Sequence, residues 1–350
     1  MKKFNSILLI LLCLTLVVST ACGDTENEKR PTEPTSGDSD KGNYDGLEKL
    51  WATSPFDVDM TARKAAFKQI QTYADECPSS TFSSYLSGTD ALATSLQKTF
   101  PAIYCYNQAF ERILEGVKND KPANGEAYIY MLYNMGYVIK TPSGAFGIDI
   151  FHRRGAELAP YLDYYCMTHT HQDHRCLPLA EAMNAVGKPV LQNFLDASAY
   201  SYTSTKDKDY TIGDFKIHTF ITNHNNGTSN VPVTVFKIDC GNDGGNLVLM
   251  HSGDSNFLPE QYASVKDVNI DVYIPRYAPN ALTENDVIGS VFAPKYVLLS
   301  HILELTHTDP SSSRWTLEQG LERASKLNCS QTYMPFWGER MIWKNNKLSK

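Results

Sequence analysis

Between Thr168 and His174 the chain reads Thr-His-Thr-His-Gln-Asp-His, directly after the apolar stretch Tyr164–Met167. Three imidazoles and a carboxylate thus leave the end of a strand within six residues. In extended chain, residues i and i+2 point the same way. His169 and His171 can therefore converge on one ion, while Asp173 and His174 turn toward a second. A solvated loop, or a cluster opening the helix read over Leu177–Val186, is the bland account. The ligand spacing and the apolar strand before it favour metal binding.

The rest of the pattern supplies a frame for such a site. From about Tyr44 to Asn124 the periodicity is helical, with apolar residues three and four apart over Thr61–Ala74 and Pro101–Asn119. The second of these opens on a proline suited to a first helical position. After Gly125 the texture changes to strands. Ala127–Thr141 and Gly144–Phe151 read as a hairpin around Pro142-Ser143-Gly144. Strands follow over Asp163–Thr168, Pro189–Phe194, Phe215–Thr222, Val231–Asp239, Asn246–Met250, Ile270–Ile274 and Tyr296–Leu299. Helices are expected over Leu177–Val186 and Trp315–Leu327, and Met334–Arg340 reads as a last strand and turn. Strands interleaved with helices over some two hundred residues predict a layered α/β sandwich, with strand-rich halves on either side of about residue 210.

The run His169-Thr170-His171-Gln172-Asp173-His174 resembles the HxHxDH motif of the metallo-β-lactamase superfamily, and further motifs of that superfamily occur in order. Gly147-Ile148-Asp149-Ile150 matches the strand that ends in a buried Asp, here Asp149. Ile221-Thr222-Asn223-His224 matches a single His after a strand. Leu247-Val248-Leu249-Met250-His251-Ser252-Gly253-Asp254 matches an apolar strand followed by Gly-Asp, and Val297-Leu298-Leu299-Ser300-His301 a His closing a late strand. The resemblance spans roughly Ala127–Lys350. It implies an αββα metallo-β-lactamase sandwich, here with an N-terminal helical extension. It further implies that His169, His171 and His224 hold one metal and Asp173, His174 and His301 another, with Asp254 between them. Asp149 and His251 would support the ligands from behind. The implied chemistry is hydrolysis by water activated between two zinc ions, with iron or manganese as other occupants and Asp173 able to accept or deliver a proton.

Position 254 narrows the branch. Zinc β-lactamases of the superfamily carry Cys or Ser there, so Asp254 points away from antibiotics and toward members that cleave phosphodiesters, lactones and thioesters. Met250-His251-Ser252-Gly253-Asp254-Ser255 is similar to the form found in the L-ascorbate-6-phosphate lactonase-like branch. No glycine follows His174, where many thioesterase and nuclease members have one, and the basic cluster of a glyoxalase II is absent. Flavodiiron oxidoreductases usually carry Glu at the place of His171. The expectation is an extracytoplasmic dinuclear-zinc hydrolase acting on a small ester, lactone or phosphodiester. The alternatives are a mononuclear-iron sulfur dioxygenase and a non-catalytic binding lipoprotein on the same fold. His307 is a further candidate to face the cleft, whereas His152 and His218 read as structural or exposed. Tyr128, Tyr130, Tyr133, Tyr137, Tyr273, Arg276 and Tyr277 read as half-buried strand residues or cleft contacts, and Arg340 as a cleft cation or the partner of an acid.

The N-terminus carries an address. Lys2 and Lys3 precede the apolar run Ile7–Val18, which is too short to span a bilayer, and Ser19-Thr20-Ala21 leads to Cys22. This segment resembles a bacterial lipoprotein signal, with cleavage before Cys22 and a lipid on its thiol, although Ser19 stands where that family usually has Leu. The division that follows is 1–21 signal, 22–45 flexible tether, 46–124 helical extension and 125–350 hydrolase domain. The chain would sit at a membrane surface, periplasmic or external. Of the 8 cysteines, six remain after Cys13 and Cys22, none in CxxC spacing; Cys77 and Cys105 could pair or stay as buried thiols. A net charge of −7, or −9 once Lys2 and Lys3 are removed, excludes a basic footprint for nucleic acid and leaves a small molecule as the expected partner.

Overall fold

The apolar strands assemble into two sheets whose facing sides share aromatic side chains. The computed structural model describes residues 44–224, 231–277, 287–308 and 314–350. The signal, Cys22 and nearly all of the tether lie outside these residues. Among the described residues no helix is long and apolar enough to cross a membrane.

Five helices come first: α1 (Gly46–Trp51), α2 (Thr61–Asp75), α3 (Ser79–Ser87), α4 (Asp90–Thr99) and α5 (Pro101–Asn119). Pro101 opens α5, whose Ile103, Tyr106, Ala109, Phe110, Ile113 and Val117 form one buried stripe. The strands of the first half are β1 (Glu126–Tyr133), β2 (Gly136–Thr141), β3 (Gly144–Ile148), β4 (Tyr164–Cys166), β5 (Val190–Gln192) and β6 (Tyr202–Thr203), with α6 (Leu177–Ala185) between β4 and β5. Those of the second half are β7 (Lys208–Ile212), β8 (Phe215–Asn223), β9 (Pro232–Asp239), β10 (Val248–His251), β11 (Val272–Ile274), β12 (Tyr296–Leu298) and β13 (Thr332–Tyr333). Helix α7 (Leu317–Ala324) precedes β13, and β14 (Glu339–Lys344) and β15 (Lys347–Ser349) close the chain. Thr316 caps α7 reciprocally with Gln319.

One sheet has the order β15-β14-β1-β2-β3-β4-β5-β6 and the other β13-β12-β11-β10-β9-β8-β7. Each half starts as an antiparallel meander, β1-β2-β3 and β7-β8-β9-β10, and continues in parallel register. The change of sheet falls between Thr203 and Lys208, close to the division near residue 210 read from the sequence. Phe146 and Tyr164 of one sheet meet Phe215 of the other at 5.2 and 5.4 Å. Helix α6 packs on β4 and β5, and α5 on β1. Tyr262 and Phe292 pack on Phe220 and Tyr273 of the second sheet. This is the helix–sheet–sheet–helix layering that the resemblance implied.

Two readings are corrected, and the open choice for Cys77 and Cys105 is settled. Ala127–Thr141 is not one strand: it turns at Asn134-Met135, where Asn134 takes φ +55°. Met334–Arg340 is not the last strand: the chain turns at Gly338 (φ +79°) and β14 begins only at Glu339, which is drawn inward to a two-pronged ion pair with buried Arg63 at 2.7 and 2.8 Å, and β15 follows. Cys77 and Cys105 are both buried free thiols. Helix α2 also reaches the far end of the chain through this ion pair, since Arg63 donates to the Met334 carbonyl as well.

Candidate metal centre

Every donor singled out in the sequence leaves the carboxyl end of a strand, β4, β8, β10 or β12. The side chains of His169, His171, His224 and Asp254 form one group of closely approaching donor atoms, and Asp173, His174 and His301 a second.

The local supports begin with Asp149, held at φ +47° just beyond β3. Its Oδ1 accepts the Thr168 N–H at 2.7 Å, and its Oδ2 accepts the Thr168 hydroxyl at 2.7 Å. His174 Nδ1 lies 2.8 Å from the same Oδ2. An ionised carboxylate only accepts, so Nδ1 carries the proton and Nε2 of His174 faces the centre. The same logic runs one step further. Thr168 has given its only hydroxyl proton to Asp149, so His169 Nδ1, 3.0 Å from that oxygen, must donate to it, and His169 too presents Nε2.

Asp254 joins the two groups. Its Oδ1 is 3.3 Å from His174 Nε2, and its Oδ2 is 3.1 Å from His224 Nε2 and 3.4 Å from His301 Nε2. Asp173 Oδ2 lies 3.2 Å from Nε2 of both His174 and His301. Gly253 makes the approach of β10 feasible. It sits at φ +48°, and a Cβ there would fall 2.5 Å from the Thr168 hydroxyl. His251 supports from behind: its Nδ1 accepts from the Gly253 N–H, so Nε2 donates to the Met135 carbonyl at 2.9 Å.

The donor set fits divalent ions on the chemistry of its atoms. Two donors bound tetrahedrally to one ion at about 2.1 Å stand about 3.4 Å apart, and the nitrogen–oxygen separations of 3.1 to 3.4 Å cluster at that value. Among the described residues, Nε2 of His169 and His174 and Oδ1 of Asp254 are buried without a hydrogen bond. Buried polar atoms are normally satisfied, so these point to a further bonding partner.

Electrostatics agree. Burial resists charge on Asp254, but His301 and His174 outweigh it and hold its carboxyl well below the ordinary range. Burial likewise opposes ionisation of Asp173, and His174 and His301 again prevail. In return, against the cost of burial, the three carboxylates Asp173, Asp254 and Asp149 hold His174 well above its usual value, and Asp254 and Asp173 raise His301 to about 9. Without ions, protons on these imidazoles balance the buried carboxylates. Burial, then neighbouring imidazoles, push His169 and His171 down, so they stay neutral ligands.

Other candidates find other places. His307 is part-exposed and stacks on His301 with ring centroids 5.6 Å apart. Glu304 approaches Asp173 and His307, but its two oxygens already accept from the Tyr133 hydroxyl, the Thr306 N–H and hydroxyl, and the His307 N–H. It shapes the loop and has no lone pair left for an ion. His152 is buried against Phe110 at 3.9 Å, and His218 pairs with Asp209. Arg340 pairs with Asp120, which also accepts from Tyr130, and Arg340 lies over Tyr128. Tyr137 shares a hydrogen bond with Ser300, Tyr273 is buried beside Tyr262, and Tyr277 packs on Trp315.

Sequence reasoning missed Asn134. Its Nδ2 donates to Asp173 Oδ2 at 2.9 Å, and its carbonyl accepts from the His301 N–H at 3.1 Å. The β1–β2 turn thus holds two members of the second donor group. Asn-Met-Gly between two apolar runs was the available signal, since Asn and Gly both tolerate the left-handed turn.

No protein-family description matches the sequence, and no curated protein matches it. Among solved structures the chain is similar to the metallo-beta-lactamase fold protein YhfI from Bacillus subtilis, at 15% identity over 62% of this chain and 98% of that one, with a TM-score of 0.45. It is similar to Igni18, a metallo hydrolase from the archaeon Ignicoccus hospitalis, at 16% identity over 63% and 99% of the two chains, with a TM-score of 0.42. It is also similar to CmlA, a diiron beta-hydroxylase from Streptomyces venezuelae, at 12% identity over 64% and 55%, with a TM-score of 0.45.

Proposed function

We propose that the chain is a metal-dependent hydrolase of the metallo-β-lactamase superfamily with a dinuclear centre, acting on a small ester, lactone or phosphodiester. The observation that carries the reading is the position of Asp254, whose Oδ2 stands between His224 of one group and His301 of the other while its Oδ1 faces His174. His169, His171 and His224 would hold one ion, Asp173, His174 and His301 the other, and Asp254 both. Divalent ions in such a site supply Lewis-acid polarisation and a nucleophile from water at neutral pH.

The protein's own share is orientation and proton handling. Asp149 and Thr168 lock the tautomers of His174 and His169, so neither ring must reorganise when a ligand arrives. Asp173 is buried, but its side chain at 9% exposed is the most open of the three carboxylates, and it would be the one placed to take a proton during attack. A donor atom of part-exposed His307 lies within 4.8 Å of one of Asp173.

Elemental analysis of the purified chain, wild type beside Asp254→Ala, tests the reading. About two zinc ions per chain, markedly fewer in the variant, with hydrolysis of a generic ester, is the expected result. About one iron per chain would favour the dioxygenase chemistry, and no metal after reconstitution would leave a binding protein.

The leader supports a lipid-anchored, extracytoplasmic location through Lys2, Lys3, the apolar run Ile7–Val18 and Cys22. Incorporation of labelled fatty acid in cells, lost in Cys22→Ser, is the result expected. Unchanged labelling would refute it.

A further inference from the structure

Among the described residues, Arg276 is an arginine of the ligand-bearing loops that no carboxylate neutralises. Arg63, Arg153, Arg154 and Arg340 each hold an acid. Arg276 has none within ion-pair distance among the described residues, although it stands among the loops of the metal centre. Its backbone forms an isolated bridge with Ser300, the neighbour of His301. Its Nε donates to the carbonyl of Ser255, the neighbour of Asp254, and its Nη2 to the carbonyl of His224, both at 3.1 Å. One edge of the guanidinium is thereby fixed to the segments that carry two of the donors, His224 and Asp254, while the backbone of Arg276 is fixed beside a third, His301.

A guanidinium has five N–H groups in a rigid fork. Two are spent on these carbonyls. The other edge, formed by Nη1 and the second N–H of Nη2, makes no hydrogen bond among the described residues, and the side chain is part-exposed. Backbone carbonyls cannot neutralise the charge. An arginine held on one edge is pre-organised to offer the other, and a paired set of anionic oxygens is the group that matches it.

We propose that the free edge of Arg276 binds an anionic group of the substrate, so that the molecule cleaved carries a phosphodiester or a carboxylate close to the scissile bond. This rests on the hydrolytic reading above and narrows its substrate to anionic esters and lactones. Neutral esters would be turned over without that contact.

The test compares two esters that release the same 4-nitrophenolate, neutral 4-nitrophenyl acetate and anionic bis(4-nitrophenyl) phosphate, with a carboxylated ester of the same phenol as a third arm. The quantity read is the ratio of kcat/KM, anionic over neutral, in wild type, Arg276→Gln and Arg276→Lys, with metal content measured on each preparation. The ratio is expected to fall about 10- to 100-fold in Arg276→Gln, the worth of a hydrogen bond to a charged group, and less in Arg276→Lys, which keeps the charge without the fork. The arm that loses most, phosphate or carboxylate, identifies the anion. An unchanged ratio, with all esters falling together alongside metal content, would show that Arg276 only holds the loops, and would overturn the proposal. If the wild type cleaves no ester, the hydrolytic reading has failed, and the anion site is judged alone by phenylglyoxal modification of the full chain, mapped by mass spectrometry. Protection of Arg276 by inorganic phosphate or acetate sustains it, and equal modification with and without either anion overturns it.

Discussion

Replacing Asn134 by glycine isolates one hydrogen bond behind the metal centre. Glycine adopts the left-handed φ of +55° freely and keeps the carbonyl that accepts from His301, so only the amide that reaches Asp173 is removed. That bond is 2.9 Å long, fully buried and made to a carboxylate, a type worth about 1.5–3 kcal/mol. If it fixes the orientation of Asp173, affinity for the ion held with His174 and His301 should fall about 10- to 100-fold, at 1.4 kcal/mol per decade. Global stability should change by less, about 1 kcal/mol, because the substitution also removes Asn134 Oδ1, a buried acceptor without a partner. Asn134→Ala should lose the same affinity and a further 1–2 kcal/mol or so of stability, the cost of a Cβ in the left-handed region. Titration against a competing chelator resolves the two ions, and denaturant unfolding of the metal-free chain gives the stability. Wild-type affinity for both ions in both variants would refute the reasoning.

In metal-free protein, His301 is raised to about 9 from an unfolded value near 6.5. Its stabilising proton is fully in place below about pH 6.5 and is lost as pH rises through about 9. The melting temperature of chelated protein should therefore fall across that window, whereas metal affinity should rise because ions compete with those protons; a rising melting temperature would contradict this. Gly253→Ala forces a Cβ within 2.5 Å of the Thr168 hydroxyl and should disturb both Asp254 and the Thr168–Asp149 pair, seen as metal content reduced below that of wild type. Arg314→Met should cost about 3–5 kcal/mol in denaturant unfolding, since buried Arg314 donates to the carbonyls of Ala74, Cys77, Leu305 and His307. Arg314→Lys should recover little, because an ammonium cannot span four carbonyls in fork geometry.

What the sequence disclosed and what it hid divide by the range of the interaction. His169, His171, Asp173 and His174 lie within one turn of chain, so their convergence is written in local spacing. Asp254 and His301 were legible only through the ordered set of motifs that carries the resemblance, each following a short apolar strand. Asn134 was hidden because the residues around it are apolar on both sides of the turn, so periodicity runs through it unbroken. The short strands β6, β7, β13 and β15 escaped for the opposite reason: Lys208–Ile212 has only one buried residue, Tyr210, and so carries no alternating apolar signal. Arg276 was legible only as a cleft candidate after the strand that follows Asp254, and Arg314 not at all, because the partners of both are backbone carbonyls set by the fold and carry no residue identity.

The same carbonyl-bound arginines explain how a sandwich of two sheets keeps four separate loops in register. Arg276 fastens the carbonyls after β8 and β10 and stands beside Ser300. Arg314 fastens the loop after β12 to the end of α2, where the carbonyls of Ala74 and Cys77 and the negative end of the helix dipole receive its charge. A carboxylate partner would have neutralised either charge but fixed only one side chain. Carbonyls leave the charge in place and fix backbone, which is what ligands on loops require. By this route α2 is tied to the loop that follows His301, while Asn134 and Asp149 bond the ligand residues themselves.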